Sequence, residues 1–234
     1  MRRTGHSDAD VLDEIVEAGR TWPTRTPEAL RWVDAIEAER AALQKSDEVI
    51  AWKDGGPGRV GEIARRASSP ANSAMILYSA IRVFRPSICL ELGTAVGISA
   101  AYQAAALQDN GSGRLVTLEG YEGLAQQAEA LWQRLSLNNV EVRVGKFKDT
   151  VPKITAEAQF DYAFIDGNHA EGPTRQYFDL LVQQQAPHAL LVFDDIDYSD
   201  GMRSAWRYVQ RSPVVCASAD LGRLGLVIIR RART

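Results

Sequence analysis

Short apolar runs that end in glycine or an acidic residue recur through the second half of the chain, separated by stretches that favour helix. Continuous apolar runs of this length are typical of strands buried on both faces of a parallel sheet. The pattern predicts strands at 88–92, 114–119, 140–144, 160–166 and 189–195. It predicts the intervening and following helices at 98–107, 123–135, 150–156, 171–185 and 201–210.

Two further apolar runs, 214–217 and 224–229, close the chain without a helical stretch between them. They predict a hairpin-like pair of strands. Repeated alternation of strand and helix predicts an α/β fold: a mostly parallel, seven-stranded sheet with helices on both faces.

Several helices are predicted before the sheet. The first begins near Ser7 and ends at Gly19, and the second begins at Thr26, a capping residue followed by proline. A glycine-rich loop at 54–58 follows. Two more predicted helices, 60–67 and 71–84, are separated by a break around Ser69.

The predicted division of the chain places a helical extension at residues 1–58 and a ligand-binding domain at 59–234. The extension would be an extra packing layer, or else a lid over a substrate or a dimer contact. A homodimer is one expectation that follows from the last of these.

Composition narrows the function classes. The 234 residues are 45% apolar and 24% charged, with a net charge of −3, which is ordinary for a soluble domain and gives no reason to expect a nucleic-acid partner. No run approaches the roughly 20 apolar residues of a membrane span. Cys89 and Cys216 lie in strand-like segments, which predicts buried thiols in a reducing compartment, the cytoplasm.

The turn after the first predicted strand carries the first candidate chemistry. Gly93 and Gly97 bracket it, and a strand, glycine turn and helix together present backbone N–H groups to an anion or a nucleotide. Glu119 lies 22 residues past Gly97, where a carboxylate accepts hydrogen bonds from ribose hydroxyls. The alternative is that Glu119 caps the following helix.

Acidic residues fall at the ends of several predicted strands, which should gather them on one rim of a parallel sheet. Among them, Asp166, Asp194 and Asp195 would repel one another, and a divalent cation such as Mg²⁺ would remove that repulsion. Alternatively, one acid binds substrate or cofactor and the others cap helices. His169, three residues after Asp166, is placed to accept a proton, unless it is a solvated loop residue.

Segment 91–99, Glu-Leu-Gly-Thr-Ala-Val-Gly-Ile-Ser, resembles the first motif of the catechol and caffeoyl-CoA O-methyltransferase branch of the class I S-adenosylmethionine-dependent methyltransferases. Segments 160–169 and 192–196 resemble the two acidic strand ends of that branch. The resemblance covers about residues 59–230. It implies a Rossmann-like, doubly wound fold and methyl transfer from S-adenosylmethionine (SAM) to a hydroxyl.

The resemblance also implies roles for individual residues. Those that would bind the cofactor are Ser69, Glu91, Gly93, Ser99, Glu119, Gly120, Gly145, Phe147 and Asp166. Those that would hold the metal are Asp166, Asp194 and Asp195, and those that would act in catalysis are Asp166 and His169. Within the cofactor set, Ser69 and Ser99 would face the methionine carboxylate, Glu119 the ribose, and Gly145 and Phe147 the adenine.

Two positions depart from the catechol-type pattern. Asp194 and Asp195 stand where that branch has Asp-Asn, which is similar to the macrocin- and novobiocin-type sugar O-methyltransferases. His169 stands where the catechol-type enzymes have a lysine.

The sequence therefore predicts a SAM-dependent O-methyltransferase that acts on a small hydroxylated molecule. On this pattern a divalent metal would orient the acceptor hydroxyl, and His169 would take its proton. Three alternatives stay open. One is a tRNA methyltransferase of the same fold, against which the acidic balance weighs. The second is a nicotinamide-dependent oxidoreductase, whose glycine turn would differ. The third is a non-catalytic SAM-binding domain.

Overall fold

The computed structural model describes residues 7–184 and 186–230. Its helices are α1 (Asp8–Arg25), α2 (Pro27–Leu43), α3 (Val60–Ala67), α4 (Ala71–Phe84), α5 (Ile98–Asn110), α6 (Glu122–Arg134), α7 (Phe147–Glu157), α8 (Glu171–Gln184) and α9 (Asp200–Gln210). Its strands are β1 (Val49–Ala51), β2 (Pro57–Arg59), β3 (Ile88–Leu92), β4 (Arg114–Glu119), β5 (Val140–Val144), β6 (Tyr162–Ile165), β7 (His188–Phe193), β8 (Val215–Asp220) and β9 (Gly225–Arg230).

Seven of the strands form one sheet in the order β5-β4-β3-β6-β7-β9-β8. Neighbours among the first five are parallel, whereas β9 pairs antiparallel with both β7 and β8. The predicted fold class and the closing hairpin are therefore confirmed. Strand order reverses at β3, because β4 and β5 lie on one side of it and β6 and β7 on the other. In such sheets the crevice at the reversal, beyond the carboxyl ends of the strands, is where ligands bind.

Successive residues of the parallel strands point to opposite faces of the sheet, so the apolar core has two parts. Cys89 belongs to the part shared with α1, α2, α4, α5 and α6, and the next residue, Leu90, belongs to the part shared with α7, α8 and α9. Because both faces are covered by helices, β3 and β6 are almost completely buried.

The helices before the sheet pack into the first part of this core. Leu12 and Ile15 of α1 and Trp32 and Ile36 of α2 lie in the same apolar cluster as residues of α4 and α5. The lid and dimer functions of residues 1–58 stay predictions. Within the described residues, no helix combines the length and the apolar character needed to span a membrane.

The prediction that the first helix ends at Gly19 is wrong, since α1 continues to Arg25. A Cβ atom at Gly19 would lie 2.4 Å from Cδ1 of Ile76 and 3.0 Å from Oγ of Ser79, both on α4. The glycine therefore allows two helices to approach closely, and it does not mark a helix end.

Two smaller expectations also fail. Residues 54–58 are not only loop, because β1 and β2 form a short antiparallel hairpin around a 3₁₀ turn at Lys53–Gly55. Cys216 is exposed, whereas Cys89 is buried as predicted. Cys216 lies on β8, an edge strand whose residues alternate between half-buried and exposed, so only one side of the strand faces the core.

Candidate active site

Backbone hydrogen bonds continue the parallel pairing beyond the strand ends and fix the order of the loops. On the β5 side of the sheet, the amide of Gly145 donates to the carbonyl of Glu119 over 2.8 Å, and the amide of Gly93 donates to the carbonyl of Leu118 over 3.1 Å. The loops after β5, β4 and β3 therefore lie side by side at one edge.

The same pattern holds on the other side of β3. The amide of Asp166 donates to the carbonyl of Leu92 over 2.9 Å, and the amide of Asp194 donates to the carbonyl of Ile165 over 3.0 Å. The structure thus places the predicted strand-end acids along a single rim.

Gly93 is required where the rim turns after β3. Its φ is +109°, and a Cβ atom there would lie 2.1 Å from the carbonyl oxygen of Asp166. A side chain would therefore be strained and would also push the loops after β3 and β6 apart. The glycine lets the two loops meet beside the crevice.

Glu119 is held by both neighbouring loops. One carboxylate oxygen accepts from the amide of Ala95 over 2.9 Å and the other from the amide of Tyr121 over 3.0 Å. Burial nevertheless raises the pKa of the Glu119 carboxyl above its ordinary value. The residue that caps α6 is Tyr121, so the alternative in which Glu119 is the helix cap is not what the structure shows.

Glu91 lies under the turn, with no exposed surface. Its carboxylate accepts from Nε2 of Gln103 and from Oγ1 of Thr117, each over 2.6 Å. Burial is the main cause that raises the pKa of Glu91 to about 7, and the hydrogen bonds oppose it. Glu91 therefore braces α5 against β4 from inside the fold.

Two buried serines of the predicted cofactor set differ in how their hydroxyls are satisfied. Ser69, between α3 and α4, is buried, and its Oγ has no hydrogen-bond partner among the described residues. Ser99, in the first turn of α5, is also buried and hydrogen-bonds to Glu91. An unsatisfied buried hydroxyl is destabilising unless water or a ligand completes its hydrogen bonds, so the Oγ of Ser69 is a candidate contact for a polar ligand group.

The remaining predicted contacts lie on the loops after β4 and β5. Gly120 is exposed beside Glu119, and the space where a Cβ would stand is open. Gly145 precedes α7. Phe147 packs against Gly167 in the loop after β6, and its ring meets that of Tyr177 edge-on at 6.0 Å between centroids.

His169 lies between two of the acids. Its Nε2 is 3.4 Å from Oδ1 of Asp166 and its Nδ1 is 3.5 Å from Oδ2 of Asp195. Asn168, His169 and Asp195 all have positive φ, at 64°, 27° and 54°. Backbone strain of this kind in residues other than glycine concentrates at functional sites.

The acidic cluster consists of Asp166, Asp194 and Asp195 with His169 between them. Arg223 also belongs to it, and sequence reasoning misses this residue. Its Nε donates to Oδ1 of Asp194 over 2.8 Å and its Nη2 donates to Oδ2 over 2.7 Å, while Nη2 lies 3.3 Å from Oδ1 of Asp195. The last predicted strand carries a signal that could have found Arg223. If that strand pairs antiparallel with β7, it must begin where β7 ends, and Phe193 does pair with Gly225. The turn before β9 must therefore reach the rim.

The acids of the cluster do not all behave as free carboxylates. Burial, and then the negative charge of Asp194, raise the pKa of Asp166 well above its ordinary value. The same two causes, in the same order, raise the pKa of Asp195. The carboxyls of Asp166 and Asp195 therefore hold their protons more tightly than isolated carboxyls do.

The predicted divalent-metal site does not fit this arrangement. Within the described part of the chain, no group of three or more His, Cys, Asp or Glu side chains is arranged to hold a metal ion. Both carboxylate oxygens of Asp194, a predicted ligand, accept hydrogen bonds from Arg223 instead.

Comparison with known proteins adds to this geometry. Residues 90–196 match the family model of a methyltransferase domain. This match agrees with the methyltransferase motifs that the sequence shows at 91–99, 160–169 and 192–196. This methyltransferase segment runs from β3 to just beyond β7 and so includes the acidic rim, whereas Ser69 and Arg223 lie outside it.

The chain is also 36% identical over 110 residues to a curated catechol O-methyltransferase of Niastella koreensis. The aligned part is 46% of this chain and 48% of that protein, so the chain spans about half the length of this curated relative.

Solved structures show the same fold over most of the chain. An O-methyltransferase from Bacillus cereus in complex with S-adenosylhomocysteine (SAH) superposes with a TM-score of 0.63 at 20% identity. The match covers 94% of this chain and 100% of that one. The O-methyltransferase TomG from Streptomyces achromogenes, in complex with SAM, superposes with a TM-score of 0.65 at 21% identity, covering 85% and 90%.

Proposed function

We propose that this protein is a SAM-dependent O-methyltransferase that transfers a methyl group to a hydroxyl of a small molecule. The observation that carries the proposal is that the segment matching a methyltransferase domain contains the turn at Gly93 and the acids of the rim from Glu119 to Asp195. The similarity to a catechol O-methyltransferase supports oxygen as the accepting atom.

The residues present fit SAM. The unpartnered, buried Oγ of Ser69 suits a ligand carboxylate, and the oriented carboxylate of Glu119, beside the open surface of Gly120, suits a ribose diol. When bound, SAM supplies an electrophilic methyl group on a sulfonium. Gly145 and Phe147 are the proposed border of its adenine, and the backbone at Gly93 the border of its methionine part.

The acceptor hydroxyl must lose a proton as its oxygen forms the new bond to carbon. His169 is the proposed base, because it lies on the rim with a third of its side chain exposed and an acid on either side. Asp166 orients the imidazole. The rest of the site acts by alignment, holding the acceptor oxygen in line with the carbon it attacks.

No step is assigned to a metal ion, since the carboxylates that would bind it do not fit one here. The cytoplasmic location and the homodimer stay predictions. The proposed acceptor is small and hydroxylated, in keeping with the curated relative.

Calorimetric titration of the full chain with SAM tests the proposal, together with release of SAH when catechol is supplied as a probe acceptor. We expect the wild type to bind SAM. Glu119→Gln should bind it about 10- to 100-fold more weakly, because hydrogen bonds to a charged group are lost. Glu129→Gln, an exposed position on α6, is the matched control and should bind as the wild type does. A wild type that does not bind SAM overturns the proposal.

A further inference from the structure

Arg223 is a charged residue at the rim to which the proposed function gives no task. It lies in the turn between β8 and β9, and its side chain is 41% exposed. The Asp194 side chain that it meets has no exposed surface. A buried carboxylate needs a partner of opposite charge that also fills its hydrogen-bonding positions. The two parallel N–H···O bonds from Arg223 meet both requirements.

This contact competes directly with a metal ion. An Mg²⁺ ion coordinates carboxylate oxygens at about 2.0–2.1 Å and demands near-ideal geometry. At Asp194 both oxygens already accept from a guanidinium, and the same Nη2 approaches Asp195. A divalent ion could bind these acids only after Arg223 had left them, because the two cations would otherwise repel each other at one carboxylate.

One edge of the guanidinium is not used in this contact. Nε and Nη2 face Asp194, while Nη1 makes no hydrogen bond to the described residues. Because Arg223 is partly exposed beside Asp194 and Asp195, Nη1 is available to a ligand oxygen. Guanidinium N–H groups recognise hydroxyl, phenolate and carboxylate oxygens.

Resting on the proposed function, we propose that Arg223 takes the place of a divalent cation in the acceptor site. Its fixed positive charge pairs with Asp194 and lies close to Asp195. Its Nη1 binds an oxygen of the acceptor, either the hydroxyl to be methylated or one adjacent to it. The acceptor is thus an oxygen-rich molecule, and its positioning does not need a metal.

Titration of the full chain with Mn²⁺, monitored by the electron paramagnetic resonance signal of the free ion, tests the proposal. The wild type and the matched control Arg211→Met, an exposed arginine just after α9, should bind no stoichiometric Mn²⁺ at micromolar concentrations. Arg223→Met removes the charge and keeps much of the side-chain volume. It should gain Mn²⁺ binding by at least about 10-fold, since Asp194 loses its bidentate guanidinium partner.

Tight Mn²⁺ binding by the wild type overturns the proposal, and so does a folded Arg223→Met that binds no more Mn²⁺ than the wild type. If Arg223→Met does not fold, Arg223→Gln takes its place and the wild-type titration still decides. Mn²⁺ binding does not require SAM, so this readout is separate from a failure of the proposed function. A chain that binds SAM and is inactivated by chelation would contradict the role of Arg223 and leave the methyltransferase assignment standing.

Discussion

Glu91 couples stability to pH through a single buried carboxyl. Its pKa is raised from 4.5 to about 7, chiefly by burial. The folded state therefore holds this proton more tightly than the unfolded state does. The resulting stability is fully present below pH 4.5 and is lost as the pH rises through about 7. The free energy of unfolding should fall by about 3 kcal/mol across this window.

Replacing Glu91 by glutamine removes the titration while keeping the size of the side chain. Urea denaturation at about pH 5 and about pH 8 should show the wild type losing more stability than Glu91→Gln as the pH rises. Glu129→Gln, at an exposed site, should follow the wild type at both values. If the wild type and Glu91→Gln lose the same unfolding free energy between the two pH values, the pKa of Glu91 is not raised.

His169 is the residue on which the proposed proton transfer depends. His169→Gln keeps a polar side chain that does not act as a base, so kcat should fall by about 100-fold or more. SAM affinity should stay within about 2-fold, because His169 is a base for the acceptor and is outside the proposed cofactor contacts. Steady-state kinetics and calorimetry on the same preparation check both. A kcat that is unchanged would remove His169 from the chemistry.

At the scale of elements, the turn between β3 and α5 depends on close contact with the loop after β6. Gly93→Ala would place a methyl group 2.1 Å from the carbonyl oxygen of Asp166, at a φ of +109°. We expect a loss of more than about 2 kcal/mol in unfolding free energy, together with weaker SAM binding, because the loops must separate. Gly172→Ala, which meets no atom within 4 Å, is the control for chemical denaturation and should lose no stability.

The sequence predicts an element well when the residues that determine it are neighbours in the chain, and poorly when they are distant. The parallel strands are buried on both faces, so their apolar runs and terminal acids are visible locally, and the rim could be expected from topology alone. Gly19 shows the limit. Its local preference is for a helix end, but the helix continues through it because the glycine packs against Ile76, a residue 57 positions later in the chain. Arg223 shows the same limit at the site, because its partner becomes apparent only once β9 is known to pair with β7.

At the scale of the whole molecule, contacts at the two ends of the described chain connect the first helix to the sheet. Asp8 begins α1, and Arg230 ends β9. Nε and Nη2 of Arg230 donate to the two carboxylate oxygens of Asp8 over 2.8 and 2.7 Å, and Nε2 of His188 lies 3.3 Å from the same carboxylate. These contacts fix the start of α1 against β7 and β9, so the N-terminal helices and the sheet should unfold together.

Asp8→Asn tests this connection. The hydrogen bonds from Arg230 are the main cause that lowers the pKa of Asp8 below 3.8. The stability that this carboxylate contributes is therefore present above pH 3.8 and is lost as the pH falls through its lower, folded-state pKa. Arg230 is about half exposed, so solvent screening limits the expected loss to about 1 kcal/mol at neutral pH.

Thermal and urea denaturation near pH 7 should show Asp8→Asn to be less stable than the wild type, and the difference should shrink in acid. High salt should shrink it as well, because the pair lies near the surface. Asp13→Asn, an exposed position on the same helix, controls for loss of a negative charge from α1 and should change stability by less than about 0.5 kcal/mol. If Asp8→Asn instead matches the wild type at low salt, then apolar packing of α1 on α4 holds the helix in place without the ion pair. In that case the apolar contacts of Leu12 and Ile15, which lie in the core that α1 shares with the sheet, would be what couples the unfolding of the helix to that of the sheet.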